Sequence, residues 1–173
     1  SNPPTPLLTA HTTMQRPQHL IPAMLLACLL ALAAGCGRGG RDYSRWTHLP
    51  AEGWAYGDTL MLVPADTALA DNDSLVNRPL RLGVVHTSAY PYSNLWLEVT
   101  YRGDHKVYRD TVNLTLADVY GRWIGKGFGS YYQREVLLTP EADIDVRRPV
   151  AVRHIMRLDT LRHIDRIGVS VEE

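Results

Sequence analysis

The sequence predicts an all-β fold, specifically an antiparallel β-sandwich of about seven strands. From residue 59 onward, apolar residues recur at every second position, which is typical of strands that bury one face. Clusters of Gly, Pro, Asp and Asn separate the alternating segments at short intervals, as turns do between neighbouring antiparallel strands. Helical periodicity is nearly absent, so the whole domain is predicted to consist of packed sheets.

The clearest predicted hairpin lies between residues 95 and 116. Leu95, Leu97 and Val99 alternate with residues of the opposite face, and Gly103 with Asp104 then supplies a turn. A second alternating segment follows directly and predicts the partner strand. Further strands are predicted at residues 60–63, 80–86, 131–138, 150–156 and 167–171, with one short helical interruption at 160–164, where Leu161 and Ile164 are three residues apart.

Residues 14–35 have the layout of a secretory signal peptide. Met14 begins a basic, polar stretch, and residues 23–34 form an apolar run that ends in small residues. The run is shorter than the roughly 20 residues that a membrane-spanning helix needs. A buried core helix is the alternative, but glycine-rich sequence follows at once without a capping residue. Residues 1–13 are interpreted as an upstream extension.

The segment Leu32–Cys36 resembles a lipobox, with Ala33 where a larger aliphatic residue is usual. Small residues let the backbone lie close in a peptidase cleft, and the thiol of Cys36 takes up the lipid. Loss of Cys28 with the signal peptide leaves Cys36 as the lone cysteine, which suits an acylation site better than a catalytic nucleophile. Residues 36–58 are predicted to form a lipidated tether and domain entry, and residues 59–173 the β-sandwich domain.

Charge restricts the partners of this protein. Lys and Arg together number 18, as do Asp and Glu, and the two signs are interspersed. There is therefore no electrostatic case for nucleic acid binding, nor a polybasic patch for lipid headgroups. Membrane attachment is expected to depend on the lipid on Cys36 alone.

No pattern of residues predicts catalysis. The histidines do not have metal-ligand spacing, and the acidic stretch 141–145 lacks the remaining ligands of a calcium loop. The glycines of 121–129 precede no Lys-Ser/Thr pair that would bind phosphate, and a Gly-x-Ser-x-Gly nucleophile elbow is absent. We expect no enzyme activity, cofactor, metal or small-molecule substrate. An envelope hydrolase with paired carboxylates is the remaining catalytic alternative.

Three segments occur in a characteristic order behind the lipobox: Tyr90–Leu97, Gly121–Gly127 and Met156–Val169. Over nearly the whole mature chain this order resembles the gliding motility lipoprotein GldH family of the Bacteroidetes. The resemblance implies a cell-envelope lipoprotein required for gliding, an accessory or structural component associated with the type IX secretion machinery. It also implies contacts with other envelope proteins of gliding and secretion, and no known catalytic activity.

Four aromatic residues and one asparagine in these segments are candidates for contact with a partner protein. The alternative function is a glycan- or peptidoglycan-binding envelope module that uses the same side chains. A purely structural role is also open, since Pro91 and Ser93 favour a turn before the strand and the glycines permit bends. The candidates are Tyr90, Tyr92, Asn94, Trp96 and Trp123.

Two further expectations concern modification and location. The short pattern Asp-Ser/Thr-hydrophobic recurs along the chain and resembles periplasmic O-glycosylation sites, with Ser74 in a polar loop as the predicted acceptor. Gly37 follows Cys36 where an aspartate would favour retention in the inner membrane, and no acidic cluster for surface export follows. The expected location is therefore the periplasmic face of the outer membrane.

Overall fold

The computed structural model describes residues 42–65 and 74–172, and these ranges contain strands, turns and loops without a helix. The predicted helical interruption at 160–164 is therefore wrong, because two of its residues pair as a strand. The described residues offer no helix that could span a membrane. The signal peptide and Cys36 lie outside the described residues. In chain order the strands are β1 (Tyr43–His48), β2 (Trp54–Ala55), β3 (Leu60–Leu62), β4 (Leu75–Thr87), β5 (Asn94–Arg102), β6 (Val107–Thr115), β7 (Lys126–Phe128), β8 (Tyr131–Asp145), β9 (Val150–His154), β10 (Thr160–Leu161) and β11 (Ile164–Val171).

Two sheets form the sandwich. One has five strands in the order β1-β11-β4-β8-β7, and the other has four in the order β3-β9-β5-β6, while β2 and β10 form a small separate pair. Every strand pair is antiparallel. The predicted all-β antiparallel sandwich is confirmed, and each of the seven predicted strands is present.

The core lies between the inner faces of the two sheets. Alternating residues of β4, β5 and β11 are completely or almost completely buried because every second side chain of a strand points to the same face. Burial of such aliphatic side chains contributes about 1.5–3 kcal/mol each relative to exposure. The central core residues are Leu80, Leu82, Val84, Leu95, Leu97, Val99, Leu114, Ile144, Val152, Ile167, Val169 and Val171.

Strand β1 lies within residues 36–58, the predicted tether and domain entry. It pairs with β11 along its whole length, and its Trp46 lies across Gly168 and Gly83 on the outer face of the five-stranded sheet. A Cβ atom at Gly168 would lie 2.2 Å from the indole ring, so only glycine leaves room for Trp46 there. Trp54 of β2 is 1% exposed, so the domain already includes residues 43–58.

The sandwich has two ends, which are named here by their side chains. The aromatic end carries Tyr90 and Trp123, and the basic end carries Arg102, Lys106 and Arg148. At the aromatic end, β4 ends at Thr87 and β5 begins at Asn94; at the basic end, β5 ends at Arg102 and β6 begins at Val107. Strand β1 runs towards the aromatic end, because it is antiparallel to β11, which begins beside the end of β4. The chain therefore enters the domain from the side of the basic end.

Candidate functional site

An aromatic cluster closes the aromatic end. His86 of β4 lies with its ring centroid 4.6 Å from Trp123, 5.6 Å from Tyr90 and 5.7 Å from Tyr132. Trp123 and Tyr132 also contact each other, with ring centroids 6.0 Å apart. Edge and offset ring contacts of this kind contribute about 0.5–1.5 kcal/mol beyond the buried area. The structure therefore brings two of the predicted site residues together, but as packing partners.

Tyr90, a predicted contact residue, is buried in the structure. It is 2% exposed, and its hydroxyl donates a hydrogen bond of 3.0 Å to the backbone carbonyl of Asn94. Burial raises the pKa of Tyr90 far above its ordinary value, because an ionised phenol would lose its hydration. Tyr92 is half-buried and meets Tyr90 edge to face, with ring centroids 5.5 Å apart. Tyr90 therefore positions the start of β5 and offers no surface to a partner.

His86 is the buried polar centre of this cluster. Its Nδ1–H donates to the carbonyl oxygen of Thr87 at 3.0 Å, while Nε2 is buried and has no hydrogen-bond partner among the described residues. Burial lowers the pKa of His86, because a charged imidazolium would be poorly solvated there. The ring is therefore neutral at pH 7 and acts as part of the apolar packing.

The loop of residues 117–123 begins where β6 ends and is tied by the carboxylate of Asp118. Its Oδ1 accepts hydrogen bonds from the backbone N–H groups of Tyr120 and Arg122, both at 2.9 Å. Its Oδ2 accepts from Nε of Arg122 at 2.8 Å. These hydrogen bonds, led by that from the Arg122 backbone, lower the pKa of Asp118. Ala117 and Trp123 form an antiparallel β-bridge, which joins the first and last residues of the loop.

The aromatic end also carries the most exposed large apolar side chains of the described residues. Val119 is 92% exposed, Tyr120 81% and Phe128 86%. Beside Phe128 lies an open pocket of about 440 Å³, lined by His48, Val85, Phe128, Tyr131, Asp165, Arg166 and neighbouring residues of β7 and β8. Neighbouring exposed apolar side chains mark a contact site more often than a single exposed one does.

Trp96 and Asn94 lie on the outer face of the four-stranded sheet, away from the core. The Asn94 side chain donates to Oδ1 of Asn113 at 2.9 Å, and Trp96 is 40% exposed. On the same face, Glu98 accepts a hydrogen bond of 2.9 Å from Arg153 and lies 3.9 Å from Arg109. The bond from Arg153 lowers the pKa of Glu98. The five predicted contact residues thus do not form one surface.

Ser74, the predicted acceptor of O-glycosylation, lies at the basic end and is 3% exposed. It lines a polar pocket of about 360 Å³ together with Arg102, Lys106 and Arg148, among other residues. A buried serine is poorly accessible to an enzyme once the domain has folded. Three threonines in the same Asp-Ser/Thr-hydrophobic pattern are exposed instead: Thr59, Thr111 and Thr160.

Residues 118–120 were not among the candidates from the sequence. The sequence does indicate a turn at residues 118–121, because Asp118 and Gly121 stand at its first and fourth positions, where Asp and Gly are favoured. Val119 and Tyr120 lie at the two central positions of this turn, where their side chains are exposed to solvent. Within the described ranges, no three His, Cys, Asp or Glu side chains are grouped so as to hold a metal ion.

Comparison with known protein families identifies the family of this chain. A family model described as GldH lipoprotein matches residues 41–171, a segment that contains all the strands. The chain belongs to the GldH lipoprotein family. Membership in the GldH family implies a lipid-anchored envelope protein associated with gliding motility. A search of curated proteins found no match to the chain.

Proposed function

We propose that this GldH-family lipoprotein is an accessory component of the gliding and type IX secretion machinery that works through protein contacts. A lipid on Cys36 would hold it at the periplasmic face of the outer membrane. The observation that carries this proposal is the family match over residues 41–171, which takes in both sheets and the loop between β6 and β7.

The structure supports protein contact over catalysis. His86 and His154 are both 0% exposed, and each directs one ring nitrogen to a backbone carbonyl, at 3.0 Å and 3.1 Å. Such histidines have a structural role, because their carbonyl partners neither activate a nucleophile nor accept a substrate proton. The most exposed large apolar side chains of the described residues lie instead on the loop of residues 117–123 and on β7. We therefore also propose that the protein is not an enzyme.

The test is complementation in the native host. A deletion strain would receive the wild-type gene or Cys36→Ser, and colony spreading, secretion of a type IX cargo and membrane fractionation would be measured. We expect deletion to abolish spreading, wild type to restore it, and Cys36→Ser to yield a folded, soluble protein that restores little. Normal spreading and secretion in the deletion strain would contradict the proposed role.

A second candidate function is glycan binding at the open pocket beside β7. Phe128 and Tyr131 are exposed there next to Lys126, Gln133 and Asp165, a mixture of apolar and polar side chains that suits a sugar ring. Sedimentation with purified peptidoglycan would test it. Binding that is lost in Tyr131→Ala but retained in Trp96→Ala would favour this function, and absence of sedimentation would exclude peptidoglycan.

A further inference from the structure

We propose that the loop of residues 117–123 is a preformed docking element whose Val119 and Tyr120 insert into an apolar pocket of a partner envelope protein. The inference rests on the proposed function, because it specifies the surface through which the protein contacts would be made. Four properties of the loop support it: its internal hydrogen bonds, its exposure, its position and its charge.

The loop is held in one conformation by its own hydrogen bonds. Besides the three bonds to the Asp118 carboxylate, the Asp118 N–H donates to the Arg122 carbonyl at 2.9 Å. The Gly121 N–H donates to the Asp118 carbonyl at 3.0 Å, and Gly121 has φ +77°, which favours glycine. At the base, the Ile124 N–H donates to the Leu116 carbonyl at 2.7 Å. None of these hydrogen bonds involves the side chain of Val119 or Tyr120.

Exposure and rigidity together distinguish this loop from an ordinary turn. Val119 at 92% and Tyr120 at 81% exposure contribute almost no burial to the domain. A loop that is already ordered loses little conformational entropy when it binds, so most of the burial gained at an interface contributes to affinity. Tyrosine is also enriched among the residues that dominate binding energy at protein interfaces. An exposed apolar pair on a fixed support therefore has the properties of an interface anchor.

The position of the loop favours a protein over the lipid surface. Trp123 packs on His86 at the aromatic end, whereas the chain enters β1 from the side of the basic end. The six residues of β1 span about 20 Å. The first described strand therefore begins at the basic end, and the loop lies at the opposite end of the sandwich, which favours contact with a protein.

The charge of the loop indicates the chemistry of the partner pocket. The Arg122 guanidinium is bonded to Asp118 and lies over the Tyr120 ring, 5.3 Å from its centroid. The single positive charge of the loop is therefore compensated within the loop, and neither anionic lipid nor an acidic peptide is specifically attracted. The matching pocket is apolar around Val119, with room for an amphipathic ring at Tyr120.

Site-specific photocrosslinking in the native host tests this inference on the full lipidated chain. A photoreactive phenylalanine would replace Tyr120, with the same replacement at Trp96, which is 40% exposed on the outer face of the four-stranded sheet. We expect a discrete protein adduct from position 120 and none from position 96. Adducts with lipid alone at position 120 would overturn the inference in favour of membrane contact, and equal protein adducts at both positions would contradict a localised surface.

Quantitative binding then uses the protein identified in the adduct, purified and titrated against detergent-solubilised full chain. We expect Val119→Ala with Tyr120→Ala to weaken binding at least about tenfold, as for central interface residues. Asp118→Ala should weaken it by loosening the loop, while Leu137→Ala, 46% exposed on β8, should not. Unchanged binding by the double variant would overturn the inference. If that variant still restores spreading while deletion abolishes it, the loop inference fails but the proposed function stands.

Discussion

The two ends of the sandwich are stabilised by different interactions. The aromatic end closes over a neutral, buried His86 with three aromatic rings, and it carries a loop whose polar groups bond to one another. The basic end has one stacked tyrosine pair, Tyr101 and Tyr108, with ring centroids 5.0 Å apart, beneath Lys106. Around it are charged side chains that pair at the surface.

This difference indicates which end can display apolar residues without disturbing the fold. At the aromatic end the packed rings supply the stability, so the loop of residues 117–123 is free to present Val119 and Tyr120 to solvent. At the basic end the ion pairs lie near water, where each contributes little. We therefore expect substitutions inside the aromatic cluster to affect folding strongly, and substitutions of exposed residues at either end to affect folding weakly.

The largest effect is expected from Tyr90→Ala. Removal of a buried aromatic ring typically costs about 3–5 kcal/mol of the free energy of unfolding, because a cavity remains. Tyr90→Phe removes only the hydrogen bond to Asn94 and should cost about 1 kcal/mol. Tyr120→Ala, at an exposed position, should stay within about 0.5 kcal/mol of wild type. Urea denaturation followed by tryptophan fluorescence measures all three, and equal effects at positions 90 and 120 would contradict the comparison.

A smaller effect is expected from the turn glycines, and the reason differs between the ends. A Cβ atom at Gly103 of the basic end would lie 2.6 Å from the backbone oxygen of Asp143, so Gly103→Ala should cost about 1–3 kcal/mol by overpacking. Gly121 has open space around it but a φ of +77°, so Gly121→Ala should cost about 1 kcal/mol by backbone strain.

Substitution by asparagine distinguishes overpacking at position 103 from backbone strain at position 121. It tolerates the left-handed region better than alanine, so Gly121→Asn should recover most of the stability lost in Gly121→Ala. At position 103 the clash is with a backbone atom, so Gly103→Asn should be no better than Gly103→Ala. Chemical denaturation of the four variants checks this, and recovery by asparagine at position 103 would show that the dihedral angle, not space, decides there.

The sequence predicted the strands whose alternation follows from burial on one face, as in Leu95, Leu97 and Val99. It did not predict β1, because that strand carries polar residues on both faces and is held chiefly by pairing and by Trp46. Gly83 and Gly168 were the available signs of a large side chain over a strand. Aromatic residues were recognised as a group, but alternation alone could not show that Tyr90 packs inward while Trp96 faces solvent.

The exposed loop could not be predicted for a related reason. Periodicity identifies residues that a regular element buries, whereas Val119 and Tyr120 lie in a turn fixed by side-chain hydrogen bonds to Asp118. Ser74 is the reverse, a polar residue among polar neighbours that the structure buries. Its polar neighbours in the sequence suggested a site of modification in a polar loop, but Ser74 is buried directly before β4, and its carbonyl accepts a hydrogen bond of 2.8 Å from the Val146 N–H.

Acid should destabilise the domain through its buried histidines. Burial lowers the pKa of His86 and of His154 below the ordinary value of 6.5, which both regain on unfolding. As the pH falls from about 7 towards 5, the unfolded chain binds protons first, so the free energy of unfolding decreases; above about pH 7 this contribution is constant. His86→Gln should reduce the pH dependence, as measured by urea denaturation at several pH values.

His105, which is exposed at the basic end, provides the matched control for that measurement. His105→Gln removes a histidine without opening the core, so any difference from His86→Gln reports the environment of the aromatic end. A steeper pH dependence in His86→Gln than in wild type would show that protonation of His86 stabilises the fold, contrary to its buried position.

The smallest effect is expected at the ion pair between Arg148 and Asp145 of the basic end. Their side chains approach to 3.4 Å, but that of Arg148 is 64% exposed, so water and salt screen the attraction. Arg148→Ala should cost less than about 1 kcal/mol, and the difference should disappear at high ionic strength. Asp145 also accepts a hydrogen bond of 3.1 Å from the Arg147 N–H, so Asp145→Asn tests the turn as well as the pair. A double-mutant cycle at low and high salt isolates the pair, and a coupling energy above about 2 kcal/mol would show that the basic end is stabilised as firmly as the aromatic end.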